Sequence, residues 1–138
     1  CHSMRTDNAN VLSYYDDVMF VNPVDAEAAG LKTGDTALFT SKAGKIARRV
    51  AVETTVMPGV VVGTEGANTR LLDDEKSADA TDWSTVVDYG GNANTLTETF
   101  LVGQGHLAYN TCIVKMEKFD GEPLKPNFKW DADVPPFE

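Results

Sequence analysis

NPVDAEAAGLKTGD, residues 22–35, lies between an unbroken apolar run, Val18–Val21, and a second short stretch rich in β-formers, Thr36–Thr40. Asn22 suits an N-cap, Pro23 pre-sets φ at the first helical position, and Asp25 and Glu27 complement the positive end of the helix dipole. The alanines favour propagation and Gly30 stops it. About two turns of helix are not stable alone in water, because nucleation is costly, so this helix must pack against something close by. The Lys32-Thr33-Gly34-Asp35 turn then sends the chain into the next run. The whole segment reads as strand, capping helix, tight turn, strand.

Outward from this segment, 138 residues suffice for one core but not for two comfortable domains. A hydrophobic fraction of 42% and a charged fraction of 24% are ordinary for a globular chain. The net charge of −9 argues against nucleic acid as a partner, since a duplex backbone needs clustered Lys and Arg. No run approaches the roughly 18 apolar residues of a membrane span, so direct membrane insertion is not expected. Cys1 and Cys112 form no C-x-x-C pair, so neither a zinc site nor a redox motif follows, and the compartment stays open. Residue 1 is not Met and no signal-like segment follows it, so the chain is expected to be an excised piece of a longer protein or a processed product, with the excised piece favoured.

Residues 41–44, Ser-Lys-Ala-Gly, turn the Leu38 strand back into a second strand over 45–53, a β-hairpin. Ile46, Val50 and Val52 share one face of that strand; Arg48 interrupts it and is expected to mark where the strand leaves the core. Met57-Pro58-Gly59 makes a turn, and Val60, Val61 and Val62 read as a buried run too uniform for an edge. Residues 70–88 are acidic and weakly periodic and read as a surface excursion. Asn94 to Thr97 suits a short strand or a loop entering a helix. Residues 111–118 alternate, with Cys112, Val114 and Met116 on one side, as a half-buried strand does. The tail over 119–138, rich in proline and aromatics, is expected to lie along another protein surface. Short strands, frequent turns and one or two short helices suggest a small β-barrel.

Side-chain chemistry is sparse. His2 and His106 are the only histidines, and no His-Glu-x-x-His, Gly-x-Ser-x-Gly or P-loop pattern occurs. The carboxylates of Asp16-Asp17 and Asp73-Asp74-Glu75 are adjacent in loops and read as hydrated surface. Four polar segments remain open. HSMRTDN near the N-terminus suits either a ligand-lining loop or a frayed end. GTEGAN leaves the valine run and is either a plain β-turn or a loop whose glycines let backbone N–H groups approach a ligand. YGGNANTLT and GQGHLAYNT set amides beside glycines, either as Asx-turns or as groups that read the edge of a heterocycle such as a pterin or guanine.

In order and spacing these pieces resemble the C-terminal molybdopterin-dinucleotide-binding domain of molybdenum enzymes of the dimethyl sulfoxide reductase family. The carriers are His2-Ser3 followed by Asp7-Asn8, NPVDAEAAGLKTGD, TSKAGKI, VMPGVVVGTEGA, DYGGNANTLT and AYNTCIVKMEKFDGEPL, together nearly the whole chain. The resemblance implies a mainly β fold: a six-stranded double-psi β-barrel with short helices, of the aspartate-decarboxylase-like kind. The barrel would occupy 1–118, and the 119–138 tail would pack on it or on a neighbouring domain. The cofactor implied is bis-molybdopterin guanine dinucleotide carrying molybdenum or tungsten. His2, Ser3, Glu65, Asn94 and Asn110 would contact its pterin, phosphate or nucleotide. Asn68-Thr69 replaces the family's Trp-Tyr after Gly-Ala, a departure in the Glu65 loop.

No catalytic residue and no metal ligand is expected within these residues, because the family pattern puts the metal's side-chain ligand and an iron–sulfur cluster elsewhere in the parent chain. The implied partners are the preceding domains of the same catalytic subunit and an iron–sulfur electron-transfer subunit. The isolated chain is expected to have no turnover, while the parent oxidoreductase transfers an oxygen atom or an electron pair at the metal. A separate small subunit of a multisubunit enzyme, or a double-psi adaptor for protein partners, are the alternatives.

Overall fold

The computed structural model describes residues 18–63, 86–98, 101–102, 106–107 and 112–125. Their order is β1 (Val18–Val21), α1 (Pro23–Ala28), β2 (Thr36–Thr40), β3 (Lys45–Val52), β4 (Val61–Gly63), β5 (Val87–Asp88), a 3-10 turn (Ala93–Thr95), β6 (Leu101–Val102), β7 (His106–Leu107) and β8 (Lys115–Lys118). The fold is thus mainly β with few helices, as the turn spacing predicts.

The local chemistry of residues 22–35 is realised in full. The Asn22 side chain accepts the Val24 N–H at 2.9 Å, and its Nδ2 donates to the Val56 carbonyl at 2.6 Å, tying the cap to the chain beyond β3. At the other end Gly30 takes φ +66°, while the Leu31 and Gly30 N–H groups return to the carbonyls of Ala26 and Glu27. That pair of bonds is a Schellman stop, with Ala26 and Leu31 both buried beneath it. In the next turn Gly34 has φ +94°; its N–H donates to the Val50 carbonyl, and the Val50 N–H donates to that of Asp35. Helix and turn are therefore fastened to β3.

β3 is the hub. It runs antiparallel to β2 (Thr36↔Arg49 to Thr40↔Lys45) and parallel to β1 (Val18↔Arg49 to Val21↔Val52). Its first two residues also pair in parallel with β5 (Lys45↔Val87, Ile46↔Asp88). β4 extends the sheet beyond β1, and β8 extends it beyond β2, both antiparallel. The result is a six-stranded mixed sheet ordered β4-β1-β3-β2-β8 with β5 on β3; β6 and β7 form a separate two-stranded pair. Among the described residues the sheet does not close on itself. Val21, Phe39, Ile46 and Val50 are fully enclosed at its centre, and Cys112, Val114 and Met116 pack against this core, although of the strand expected over 111–118 only Lys115–Lys118 is strand and residues 112–114 lead into it without regular structure.

Three expectations need correction. Arg48 does not mark an exit from the core: it is buried between Ile46, Ala47 and Val50, and its Nη1 donates to the carbonyls of Gly90 and Gly91 at 3.0 and 2.7 Å. A guanidinium tolerates burial where carbonyl oxygens replace its water. The Val60–Val62 run is not an enclosed strand, since Val60 and Val62 are exposed and β4 is the outer strand beyond β1. The turn before it is as expected, with Gly59 at φ +78° and the Val60 N–H on the Met57 carbonyl. Finally, the acidic excursion does not extend to 88, because Val86 and Asp88 are buried and Val87–Asp88 is β5.

The chain beyond β8 stays on the sheet for a short distance. The Phe119 N–H donates to the Thr36 carbonyl, the Leu124 N–H to Thr36 Oγ1 at 2.9 Å, and the Phe119 ring meets Tyr89 edge-on at 5.9 Å.

Candidate functional site

A groove of about 600 Å³ opens where three segments distant in sequence meet. Residues 59–63, including β4, form one wall, with Met19 of β1 beside them. Ala93, Leu96 and Thr97, on and just after the 3-10 turn, form the second wall, and residues 112–114, leading into β8, form the third. Its surface is mostly apolar. Val60, Val62 and Ile113 are exposed here, Ile113 at 90%. Met19 stands so close to Gly63 that a side chain at that glycine would collide with its sulfur, so β4 lies tight against β1.

The second wall is set by polar contacts. Asp88, with no exposed surface, accepts the Gly90 N–H on Oδ1 at 2.7 Å; its Oδ2 accepts the Asn92 N–H at 2.9 Å and the Thr95 hydroxyl at 3.2 Å. Asn92 caps the 3-10 turn, its Oδ1 accepting the Asn94 N–H at 3.1 Å. For Asn92 the Asx-turn alternative is therefore the correct one. Asn94, in contrast, is exposed, and its side chain makes no hydrogen bond to the described residues. Its backbone carbonyl receives the Thr97 hydroxyl at 3.1 Å, which closes the turn beneath it.

On the third wall the Cys112 thiol donates to the Leu96 carbonyl at 2.9 Å, joining this wall to the second. Burial pushes the Cys112 thiol above its ordinary range, and the nearby Glu98 carboxylate pushes it further. It therefore acts at neutral pH as a protonated donor rather than as a nucleophile. Among the described residues no three His, Cys, Asp or Glu side chains gather to hold a metal ion, and no helix is long and apolar enough to cross a membrane.

Of the five residues that the resemblance assigns to cofactor contact, Asn94 alone is described. His2, Ser3, Glu65 and Asn110 lie outside the described residues. In sequence, Glu65 follows Gly63 of the first wall by two positions and Asn110 precedes Cys112 of the third by two. Arg48 and Asp88, which bond the 89–97 loop, and the 112–114 wall of the groove are not among the site residues that the sequence singles out. For Asp88 a signal exists: Asp-Tyr-Gly-Gly is an Asx-turn pattern, with the side chain bonding the backbone two residues on.

A family model described as the molydopterin dinucleotide binding domain matches residues 1–113. The chain is 32% identical over 108 residues to a trimethylamine-N-oxide reductase of Vibrio vulnificus, and 33% identical over 108 residues to one of Vibrio cholerae. It is 35% identical over 109 residues to another of Haemophilus influenzae. Each alignment takes in 75% of this chain, which spans 12% of the length of these relatives.

Proposed function

Because the chain belongs to the molydopterin dinucleotide binding domain family, we propose that its groove receives one molybdopterin guanine dinucleotide of a bis-molybdopterin cofactor. The carrying observation is the meeting of β4, the 3-10 turn and residues 112–114 around one groove.

The donor set supports the fit. A pterin or guanine presents a planar apolar face and an edge that alternates donors and acceptors. The groove offers Val60, Val62 and Ile113 to such a face, and Asn94, exposed on the 3-10 turn next to the lining residue Ala93 but not itself in the lining, would offer a donor and an acceptor together to such an edge. Asn110 would supply a second amide, Glu65 an acceptor, and His2 and Ser3 donors to the pterin or its phosphate. When bound, the cofactor supplies the redox chemistry at its metal, molybdenum or tungsten. This chain holds and orients the dinucleotide and excludes water from it.

The parent protein, on this reading, is an oxidoreductase of the dimethyl sulfoxide reductase type, and the names of the relatives favour an N-oxide as substrate. Its preceding domains would cover the other side of the cofactor, with an iron–sulfur cluster or subunit delivering electrons. The sheet would close into a double-psi barrel through the segments outside the described residues. The 119–138 tail would continue over the barrel or a neighbouring domain, from the anchorage that Phe119 and Leu124 make on Thr36.

The test is the guanine nucleotide content of the purified full-length protein. Asn94→Ala and Asn110→Ala should each lower nucleotide retained after extended dialysis several-fold, by about 5–10-fold for a lost hydrogen bond in a low-dielectric site. Unchanged retention in both variants would contradict the proposal.

A further inference from the structure

Asn94 is displayed on a turn that has no regular secondary structure of its own beyond Ala93–Thr95, yet it is held from two directions. From β5, the Asp88 carboxylate collects donors two, four and seven residues further along: Gly90 N–H, Asn92 N–H and the Thr95 hydroxyl. From β3, the Arg48 guanidinium takes the carbonyls of Gly90 and Gly91. The loop's donors and its acceptors are thus gripped by different strands, and those strands, β3 and β5, pair through Ile46↔Asp88.

Space is as restricted as polarity. Gly91 has φ +74°, and a Cβ there would run into the Arg48 guanidinium. A Cβ on Gly44, in the hairpin turn, would come within 2.7 Å of the Thr95 carbonyl. The loop is therefore seated directly on Arg48 and on the Ser41–Gly44 turn, without intervening side chains. By pairing with backbone N–H and carbonyl groups of the loop, the carboxylate and the guanidinium both satisfy those groups and fix the path of the chain that carries them. What they impose is one backbone shape.

We propose that Asp88 and Arg48 are positioning residues that hold the 89–97 loop in the shape that offers the Asn94 amide to the heterocycle edge of the dinucleotide. The inference rests on the Asn94 reading above and adds to it the source of the amide's fixed placement. Neither residue lines the groove, whereas Asn94 stands on the turn between the lining residues Ala93 and Leu96. Each acts through Asn94, so removing either should matter only while Asn94 is present.

That dependence is the test. In the cofactor-loaded full-length protein, the rate at which guanine nucleotide is released is measured for wild type, D88N, N94A and the D88N/N94A double variant. Asp88→Asn preserves volume and removes one acceptor oxygen. It should speed release about 5-fold in the Asn94 protein, the effect of one mispaired hydrogen bond, and by less than about 2-fold in the N94A background. An equal acceleration in both backgrounds, or none in the Asn94 protein, overturns the positioning role. If N94A itself releases at the wild-type rate, the Asn94 reading fails and takes this inference with it, a result distinct from the former. Should D88N not fold, Thr95→Val, which removes only the hydroxyl that Asp88 accepts, replaces it in both backgrounds: faster release only where Asn94 is present supports the positioning role, and equal or no acceleration overturns it.

Discussion

Cys112 and Gly91 are two residues whose environment, rather than identity, decides what they do. The Cys112 thiol is pushed up first by burial and then by Glu98. Its stabilising contribution as a protonated donor to Leu96 is complete below the pKa of an unfolded cysteine, about 8.5, and is lost as pH rises through the higher folded value. Alkylation of Cys112 by iodoacetamide, resolved by peptide mass spectrometry, should be slower at pH 8 than that of a free cysteine peptide; an equal rate would contradict this. Gly91→Ala meets both a positive φ and the Arg48 guanidinium, and should lower the urea stability of the chain by more than about 2 kcal/mol. Neither environment is legible from composition. Cys112 can be placed on the inner side of an alternating run, but its carbonyl partner is 16 residues away in Leu96.

Between residue and molecule stand the elements, and here legibility depends on whether the signal is local. α1 carries its own start and stop in Asn22, Pro23 and Gly30, and all three act as their chemistry predicts. Asn22→Ala removes both the cap and the bond to Val56, and should cost about 1–3 kcal/mol in chemical denaturation. Asn22→Ser keeps an acceptor for Val24 but loses the donor to Val56, so an intermediate loss separates the two contributions. The hairpin turn is equally plain, since Ser41 bonds the Ala43 and Gly44 N–H groups as a serine turn does. β5 is hidden because its two residues follow an acidic stretch and owe their burial to pairing with β3, 42 positions earlier (Lys45↔Val87). β4 misleads for the converse reason. Three valines in a row look enclosed, but at the outer end of the sheet they face a groove.

At the scale of the whole molecule, the core is a mixed sheet whose centre is Val21, Phe39, Ile46 and Val50. Phe39→Ala should destabilise the chain by about 3–5 kcal/mol, the range for emptying a fully enclosed aromatic site. A mainly β fold is legible from turn spacing. Parallel pairing of β1 with β3, around the α1 segment, is not, because a parallel partner is chosen by tertiary packing and leaves no periodic signature in either strand. The site follows the same division: amides beside glycines draw attention to the Asn94 loop, whereas the groove exists only because residues 59–63, 93–97 and 112–114 converge. Hydrogen–deuterium exchange of the full-length protein, with and without its dinucleotide cofactor, measures that convergence directly. Cofactor should slow exchange together at residues 60–63, 93–97 and 112–114 and leave the α1 segment, residues 23–28, unchanged. Unaltered exchange in those three segments, with protection confined to other surfaces of the domain, would contradict the assignment of the groove.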